Sequence, residues 1–295
     1  MREEMEEMEE RIEEMNEVSE EEAVVEEEKK GEEVAAEKER VPVIEFDITR
    51  DSLLEFVNLA RAGGLLDEIA FSVSEKGIVA VNVDPASVLL TAVVLPADFL
   101  LEVPRAKREN LWIEANRVIT LLSAVKESDI HVKITKEKFE VRSETKKIVA
   151  PLLARESKKD VSKLIEVADD LKITPKFSYD YEYDVKVSEL LNALMIKDAN
   201  IVFQCYDNGV SVTQYDVEGE YEAMTLFKYA GDEEKAECKV ILSYEYLRKI
   251  LSVCDKNNYI MCKFSKEVQP ALLQYASPNG CDAVFLIAPR IEEEY

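Results

Sequence analysis

The chain has 295 residues, of which 47% are hydrophobic and 34% are charged, so it is long and apolar enough for about two domains with a true core. Its 62 acidic and 37 basic residues give a net charge of −25, which argues against adhesion to nucleic acid by bulk charge. The sequence contains no stretch near the roughly 18 uncharged apolar residues of a membrane span, and its charged start lacks the apolar region of a signal peptide. We therefore expect neither a membrane protein nor a secreted one.

Residues 1–40 differ in composition from the rest of the chain. They contain 19 Glu and 6 Lys or Arg, a net charge of −13. Apolar side chains recur in this segment at alternating spacings of four and three, which is the pattern of a helical seam, at Met1, Met5, Met8, Ile12 and Met15. Because so short a helix is marginal in isolation, we predict an acidic, mostly disordered extension, with a docking helix as the alternative.

The first domain is predicted to span residues 41–154. It begins with a strand, because Ile44, Phe46 and Ile48 alternate with acidic residues. Asp51 or Ser52 is predicted to cap the helix that follows, and Gly63-Gly64 to end it. Further along the chain, the patterns predict strands at 68–74, 78–83, 88–95 and 110–114, a helix around 118–125, and strands at 130–134, 138–142 and 148–153.

The second half of the chain repeats the first. The segment GIVAVNVD at 77–84 returns as GVSVTQYD at 209–216, and LLSAV at 121–125 returns as ILSVC at 250–254. A looser match relates Ser52-Leu-Leu to Ser188-Glu-Leu-Leu. Three matches in the same order indicate a duplication. We therefore predict a second domain at 176–295 and an α+β fold built from two copies of one β-α-β-β-β plan.

A linker is predicted between the two domains, at residues 155–175. It is charged and interrupted, yet it carries Leu164, Ile165, Leu171 and Ile173, which a solvated linker would lack. We expect Leu164 and Ile165 to pack back on the body of the protein. Leu171 and Ile173 are expected to pack back, to be offered to a partner, or to do both.

The sequence contains no recognisable catalytic or metal-binding signature. The five cysteines are odd in number and never form C-x-x-C, and His131 is the single histidine, so we expect small buried thiols and neither a disulfide framework nor a zinc site. Glycine-rich phosphate loops and the usual nucleophile motifs are missing. We therefore expect no catalytic residues, no cofactor and no metal, with an enzyme built on an unrecognised acidic metal centre as a remote alternative. The residues favour a platform for other molecules.

Three segments carry a resemblance to a known family. GIVAVNVDPASV at 77–88 is similar to that family's early hairpin, LKITP at 171–175 to its linker, and FLIAPRIEEE at 285–294 to its L-A-P-[KR]-[IV]-E ending. Together with the duplicated plan and four amphipathic helices, they identify residues 41–295 as similar to the PCNA family of DNA sliding clamps, of the archaeal type. Residues 1–40 have no counterpart in that family.

The resemblance implies a fold and a function. The fold would be the DNA clamp, with helices on the inner face and sheets outside, and three subunits would close a ring around duplex DNA without reading its sequence. The ring would tether DNA polymerase, nuclease and ligase clients as a processivity factor in replication and repair, after opening by a separate clamp loader. Such a protein would be cytoplasmic and associated with the nucleoid. The helix faces expected to pack on the sheets are Leu53, Leu54 and Val57; Val118, Leu122 and Val125; Leu190, Leu191 and Leu194; and Leu247, Ile250 and Leu251.

The resemblance also implies basic residues that face DNA from the four helices. The candidates are Arg61, Arg117, Lys126, Lys197, Arg248, Lys249 and Lys256. The helices nevertheless carry Glu55, Asn192, Met195 and Glu245 where clamps commonly have basic residues. This departure motivates an alternative, a regulatory or heterotrimer-specific clamp subunit that binds clients or other clamp subunits without encircling DNA efficiently alone.

A client-peptide pocket is the second site that the resemblance implies. In the family, client aromatics enter an apolar pocket formed by the early hairpin, the linker and the C-terminal tail. The matching positions here are Val83, Leu171, Ile173, Pro270, Leu286, Ala288, Pro289 and Arg290.

Overall fold

The computed structural model describes residues 43–155, 159–207, 209–215, 222–227 and 236–290. From Val43 onward the chain forms one compact unit. The predicted acidic extension at 1–40 lies outside the described residues.

The helices and strands predicted for the first half occur in the predicted order, and the structure adds strands that were not predicted, at Leu100–Glu102, Ile165–Val167 and Ile173–Pro175. The α-helices are α1 (Arg50–Ala60), α2 (Ala115–Ser123), α3 (Val187–Ala193) and α4 (Tyr244–Val253). The strands of the first half are β1 (Ile44–Thr49), β2 (Glu68–Ser74), β3 (Gly77–Val83), β4 (Leu89–Pro96), β5 (Leu100–Glu102), β6 (Arg108–Glu114), β7 (Asp129–Ile134), β8 (Lys138–Arg142) and β9 (Lys147–Pro151). The linker contains β10 (Ile165–Val167) and β11 (Ile173–Pro175). The second half contains β12 (Tyr181–Lys186), β13 (Asn200–Tyr206), β14 (Gly209–Tyr215), β15 (Glu222–Phe227), β16 (Cys238–Ser243), β17 (Tyr259–Phe264), β18 (Ala271–Ala276) and β19 (Asp282–Ile287).

The start of α1 differs from the prediction. The helix begins at Arg50, and its N-cap is Thr49, whose side chain accepts a hydrogen bond from the Ser52 backbone N–H at 3.2 Å. The prediction that Asp51 or Ser52 caps this helix is wrong. Thr49 already combines the extended backbone of a cap (φ −72°, ψ 140°) with a hydroxyl in reach of the third helical N–H, so the helix starts directly at the end of β1.

The duplication predicted from the sequence is visible in the strand order. A sheet of order β5-β1-β7-β8-β9 has its counterpart in the β12-β17-β18-β19 part of a larger sheet. The rest of that larger sheet, β4-β3-β2-β6, has its counterpart in a separate sheet of order β15-β14-β13-β16. The two halves join where β19 pairs with β4, from Asp282 opposite Val94 to Ile287 opposite Leu89. The predicted boundaries of the two domains stay a prediction.

The predicted apolar helix faces lie in the core. Leu53 and Val57 of α1, Val118 and Leu122 of α2 and their counterparts in α3 and α4 are buried in one apolar cluster with the inner faces of the sheets, and Leu54 is half-buried at its margin. In the described part of the chain the helices follow one another in space as α2, α1, α4 and α3, since each contacts the next. They therefore form a layer that offers one continuous surface.

The linker folds into a β-hairpin that the sequence analysis missed. Its strands β10 and β11 pair antiparallel from Ile165 opposite Pro175 to Val167 opposite Ile173. Ile165 is buried and Leu164 half-buried on the outer face of the large sheet, as predicted. The short charged turn between the strands hid the hairpin, because neither strand is long enough to show an alternating pattern.

Candidate functional site

The predicted DNA-facing residues all lie on the helix layer or directly after its helices. Arg117, Lys126, Lys197, Arg248 and Lys256 are exposed. Two of these cations lie near acceptors of the chain itself, since Lys197 Nζ is 3.8 Å from Asp198 and Arg248 Nη1 donates to the Leu191 carbonyl at 3.4 Å. The structure therefore leaves cations exposed on or directly after α2, α3 and α4, and their role toward DNA stays a prediction.

Arg61 and Lys249 are less available than the other cations. Arg61 is half-buried after α1 and donates to Asn116 Oδ1 on α2, and burial lowers its pKa in spite of the nearby Asp67. Lys249 pairs with Glu245 one helical turn earlier, at 2.9 Å. Arg61 therefore helps to join two helices, and Glu245 partly neutralises Lys249.

The seam between α1 and α4 depends on a glycine. Gly63 has a φ of +65°, and a Cβ at this position would lie 2.2 Å from the Lys249 backbone oxygen. A side chain is therefore excluded both by the backbone conformation and by the close approach of the two segments. This contact fixes the helix of one half against the helix of the other.

The second predicted site coincides with an apolar cluster on the outer face of the large sheet, which we call the outer cluster. Val83, Ile173 and Leu286, which the resemblance assigns to a client pocket, all belong to this cluster, and their role in binding a client stays a prediction. The cluster also includes residues that the sequence analysis did not assign to the pocket, namely Leu90, Ala92, Leu272, Val284, Ile165, Phe177 and Tyr179. Leu286 is only 3% exposed, so it forms part of the floor beneath the linker.

Other predicted pocket residues lie elsewhere. Pro289 and Arg290 line a cavity of about 250 Å³ together with the β17–β18 loop, and the Arg290 backbone N–H donates to the Ile241 carbonyl at 2.8 Å. Leu171 has a φ of +65° and lies against Gly77, where a Cβ would be 3.0 Å from its Cδ1. Leu171 also lines a separate cavity of about 530 Å³.

The two remaining predicted positions lie beside β18 and beside the early hairpin. Pro270 is half-buried just before β18, and the Ala288 backbone N–H donates to the Val88 carbonyl at 2.8 Å. The tail therefore runs from the early hairpin to β16, as the Arg290 bond to Ile241 requires. The predicted single pocket is in this structure a row of neighbouring surfaces along the tail and the linker.

Tyr179 is the most informative residue that the sequence analysis missed. Its ring packs against the outer cluster, and its hydroxyl is buried without a hydrogen-bond partner in the described structure. Burial raises the pKa of this phenol. A buried hydroxyl without a partner costs free energy, so the residue marks a place where an incoming acceptor would be favoured. The alternation of Phe177 and Tyr179 directly after the linker is the signal that could have found it.

A buried carboxylate holds the early hairpin in shape. Asp84, the Asp of the repeated motif, is 2% exposed and its Oδ1 accepts the Val88 and Leu89 backbone N–H groups at 2.8 Å each. Tyr246 of α4 donates to Oδ2 at 2.7 Å, and burial, followed by this carboxylate, raises the pKa of Tyr246 to about 12. The linker reaches the same hairpin, since Lys159 Nζ donates to the Asp84 carbonyl at 3.1 Å. Asp84 thus ties the hairpin to the helix layer and to the linker.

The remaining observations concern the thiols, the single histidine, metal sites and membrane spans. The five cysteines are all buried and free, as predicted. His131 is half-buried on β7 and its Nδ1 lies 2.7 Å from Asp47 Oδ1. Among the described residues there is no group of three or more His, Cys, Asp or Glu side chains placed to hold a metal ion. In those same ranges no helix is long and apolar enough to cross a membrane.

The chain has the fold of solved DNA sliding clamps, and curated sliding clamps are similar to it in sequence. The chain is 26% identical over 262 residues to the DNA polymerase sliding clamp of Thermococcus fumicolans, across 84% of this chain and 99% of the relative. It is 25% identical over 244 residues to the sliding clamp of Methanococcus vannielii, across 77% and 92% of the two chains. No protein-family model matches the chain.

Solved structures show the same fold. The A. fulgidus PCNA, solved with the C-terminal region of FEN-1, matches with a TM-score of 0.66 at 18% identity, over 85% of this chain and 100% of that one. A subunit of the PCNA2–PCNA3 complex from Sulfolobus tokodaii matches with a TM-score of 0.64 at 14% identity, over 84% and 100% of the two chains. The predicted resemblance to the archaeal-type PCNA family and the predicted clamp fold are confirmed. The predicted function as a sliding clamp is supported by the sequence relatives.

Proposed function

We propose that this chain is a subunit of a three-membered ring that encircles duplex DNA and tethers replication and repair proteins to it. The observation that carries this proposal is the pairing of β4 with β19 inside the chain. Their repeat counterparts, β15 and β9, each lie at the end of a sheet, and in the described part of the chain no strand pairs with their outer edges. An exposed edge of this kind is a template for pairing with another chain.

The internal junction supplies a pattern for the contact between subunits. β4 lies next to β3 in its sheet, and its repeat counterpart β15 lies next to β14 in the same way. Likewise, β19 lies next to β18, and its counterpart β9 lies next to β8. If β15 of one copy pairs with β9 of the next as β4 pairs with β19, the contact is antiparallel and head-to-tail. Such a contact closes into a ring when the rotation per subunit allows it.

The same correspondence gives the register of that contact. Within the chain, Thr91 lies opposite Phe285 and Ala92 opposite Val284. The repeat relates β4 to β15 and β19 to β9, so Ala223 would lie opposite Ile148 of the next subunit, and Met224 opposite its Lys147. Met224 is 58% exposed and Val149 is 40% exposed in the single chain, and this pairing would cover both.

A cavity beside β15 supports the same arrangement. It has a volume of about 590 Å³ and is lined in part by Asn192, Met195, Phe227 and Tyr259. At the equivalent place inside the chain, the β18–β19 turn docks on α1, where Asn279 donates to Glu55 at 2.8 Å. Glu55 and Asn192 are both the sixth residue of their helices. The cavity would therefore receive the β8–β9 turn of the neighbouring subunit.

The helix layer would face the DNA in such a ring. Its exposed cations, of which Arg117, Arg248 and Lys256 are examples, would contact phosphates without reading bases. Topological enclosure makes strong contacts unnecessary, which fits a chain with a net charge of −25. We infer that the protein acts as a scaffold, with the chemistry left to its clients.

Client proteins would dock along the outer cluster and the C-terminal tail. The outer cluster joins the early hairpin, the linker and the tail, and its apolar floor suits aromatic anchors. The A. fulgidus PCNA was solved with the C-terminal region of FEN-1 bound, which supports a peptide-binding role for this chain as well. DNA polymerase, nuclease and ligase clients and the clamp loader are the partners we expect here.

A heterotrimer-specific subunit is the second candidate. The half-buried Arg61 and the pairing of Lys249 with Glu245 reduce the positive charge available to DNA, and partner subunits could supply more. One structural neighbour is itself a complex of two different PCNA chains.

Native mass spectrometry of the full chain, alone and mixed with related clamp chains from its source, tests both candidates. A mass of three protomers from this chain alone supports the homotrimer, and a trimer only in mixtures supports the second candidate. Primer extension on closed circular DNA, with the loader and polymerase, should then be stimulated more than extension on a linear template. A chain that stays monomeric in every mixture and leaves extension unchanged would contradict both candidates.

A further inference from the structure

Two cysteines face each other across neighbouring strands of the second half. Cys205 of β13 and Cys238 of β16 occupy directly opposite positions in an antiparallel ladder. Directly opposed residues project to the same face of a sheet, with Cβ atoms roughly 4.5–5.5 Å apart. The Cα atoms of such a pair, about 4.5–5.5 Å apart, fall within the range that disulfides span, and a small approach of the two strands would bring the Cβ atoms to the roughly 3.5–4.5 Å that the bond requires.

The side chains of this pair interact. The neighbouring Cys238 thiol and then burial raise the pKa of Cys205, and the same interaction lowers the pKa of Cys238. Cys238 Sγ also donates to the Ser265 carbonyl at 2.9 Å. Both cysteines are reduced, with exposed fractions of 0% for Cys205 and 6% for Cys238.

Cys238 is the partner that an oxidant would reach first. It is the first residue of β16, and β16 lies at the end of its sheet, where local opening is easiest. Cys254 and Cys281 are also buried, but burial raises the pKa of both thiols and neither belongs to a cross-strand cysteine pair in the strand pairings described.

We propose that Cys205 and Cys238 form a disulfide when the protein meets a peroxide, so that the pair is an oxidative modification site. The Cys238 thiolate attacks one peroxide oxygen and becomes a sulfenic acid, and the other oxygen leaves as water. The Cys205 sulfur then attacks the sulfenic sulfur, the S–S bond forms, and a second water is released. Two thiols and one hydrogen peroxide thus give one disulfide and two waters, with two electrons passing from sulfur to oxygen.

The disulfide would stabilise a specific part of the molecule. It would close a loop of about thirty residues that contains β14 and the free-edge strand β15, and loops of this size lose considerable entropy in the unfolded chain when they are closed. We expect the thermal midpoint to rise by roughly 10 °C on oxidation.

Peptide mapping of the full chain tests the proposal. The protein is treated with hydrogen peroxide at graded concentrations, unfolded in acid, alkylated and digested without reduction. We expect a linked peptide pair containing Cys205 and Cys238, at a mass about 2 Da below the sum of the two reduced peptides, with Cys254, Cys262 and Cys281 alkylated. A link between either cysteine and Cys262, or alkylation of all five cysteines, would overturn the proposal.

Matched variants link the modification to its effect. Cys238→Ala should abolish both the linked peptide and the oxidative rise in thermal midpoint, and Cys254→Ala should keep both. The peptide mapping uses the chain without substitutions, so its result does not depend on whether either variant folds. A rise of the same size in Cys238→Ala would also refute the proposed link, because another reaction would then cause it.

Discussion

We expect a substitution at Met224 to break the proposed contact between subunits without disturbing the single chain. Met224 is 58% exposed on the edge strand β15, so replacing it with lysine removes little packing from the monomer. In the register transferred from the internal junction it faces Lys147 of the next subunit, and the Glu140 carboxylate holds that lysine at 2.9 Å. Met224→Lys would therefore place two ammonium groups opposite each other.

The size of the effect follows from two contributions. Burial of a whole methionine is worth roughly 1.5–3 kcal/mol, so covering the exposed part contributes about 1 kcal/mol. A like-charged pair directly opposite on two strands costs up to about 1 kcal/mol. The sum of about 2 kcal/mol per contact corresponds to roughly a 30-fold rise in the dissociation constant of the contact.

Analytical ultracentrifugation over a dilution series measures this shift. Val268→Lys is the control, since Val268 is 86% exposed on the β17–β18 loop and lies outside the proposed contact. If Met224→Lys assembles like the control, the transferred register is wrong.

Three further predictions concern the stability of the chain, each measured by chemical denaturation. Tyr179→Phe removes the hydroxyl that is buried without a partner and should stabilise the fold by about 1 kcal/mol, whereas unchanged or lower stability would mean that the hydroxyl is satisfied by water. Gly63→Ala should lower the free energy of unfolding by at least about 1–2 kcal/mol, because the new Cβ would lie 2.2 Å from the Lys249 backbone oxygen at a φ of +65°. Gly64→Ala is the control, since a Cβ there has no neighbour closer than 3.9 Å, and it measures how much of the loss comes from backbone strain alone. The pKa of Tyr246 is raised to about 12 in the folded chain, so the unfolded chain loses the phenol proton at lower pH than the folded chain does. The free energy of unfolding should therefore fall between about pH 10 and pH 12, and it should fall less steeply in Tyr246→Phe. Equal pH dependence in the two proteins would contradict the raised pKa of Tyr246.

The candidate surfaces were only partly predictable from the sequence. Val83, Ile173 and Leu286 were assigned to one apolar surface, and they do meet in the outer cluster. Leu171 was assigned to the same surface but lies against Gly77, because the linker turns back as a hairpin whose strands are too short for an alternating pattern to appear. Arg61 was predicted as an exposed cation, and only its contact with Asn116 across two helices explains its burial.

The sequence by itself determined most of the elements outside the linker, and their duplication. Alternation in β1, helical spacing in α4 and the recurrence of the Gly77 motif at Gly209 are local patterns, and local patterns survive in a single sequence because backbone geometry imposes their period. Only the tertiary structure decided which edges are paired. β4 and β15 occupy the same place in their repeats, yet β4 is covered by β19 and β15 is left at the end of its sheet. Pairing between strands nearly two hundred residues apart depends on how the sheets pack together, and no local period in the sequence encodes it.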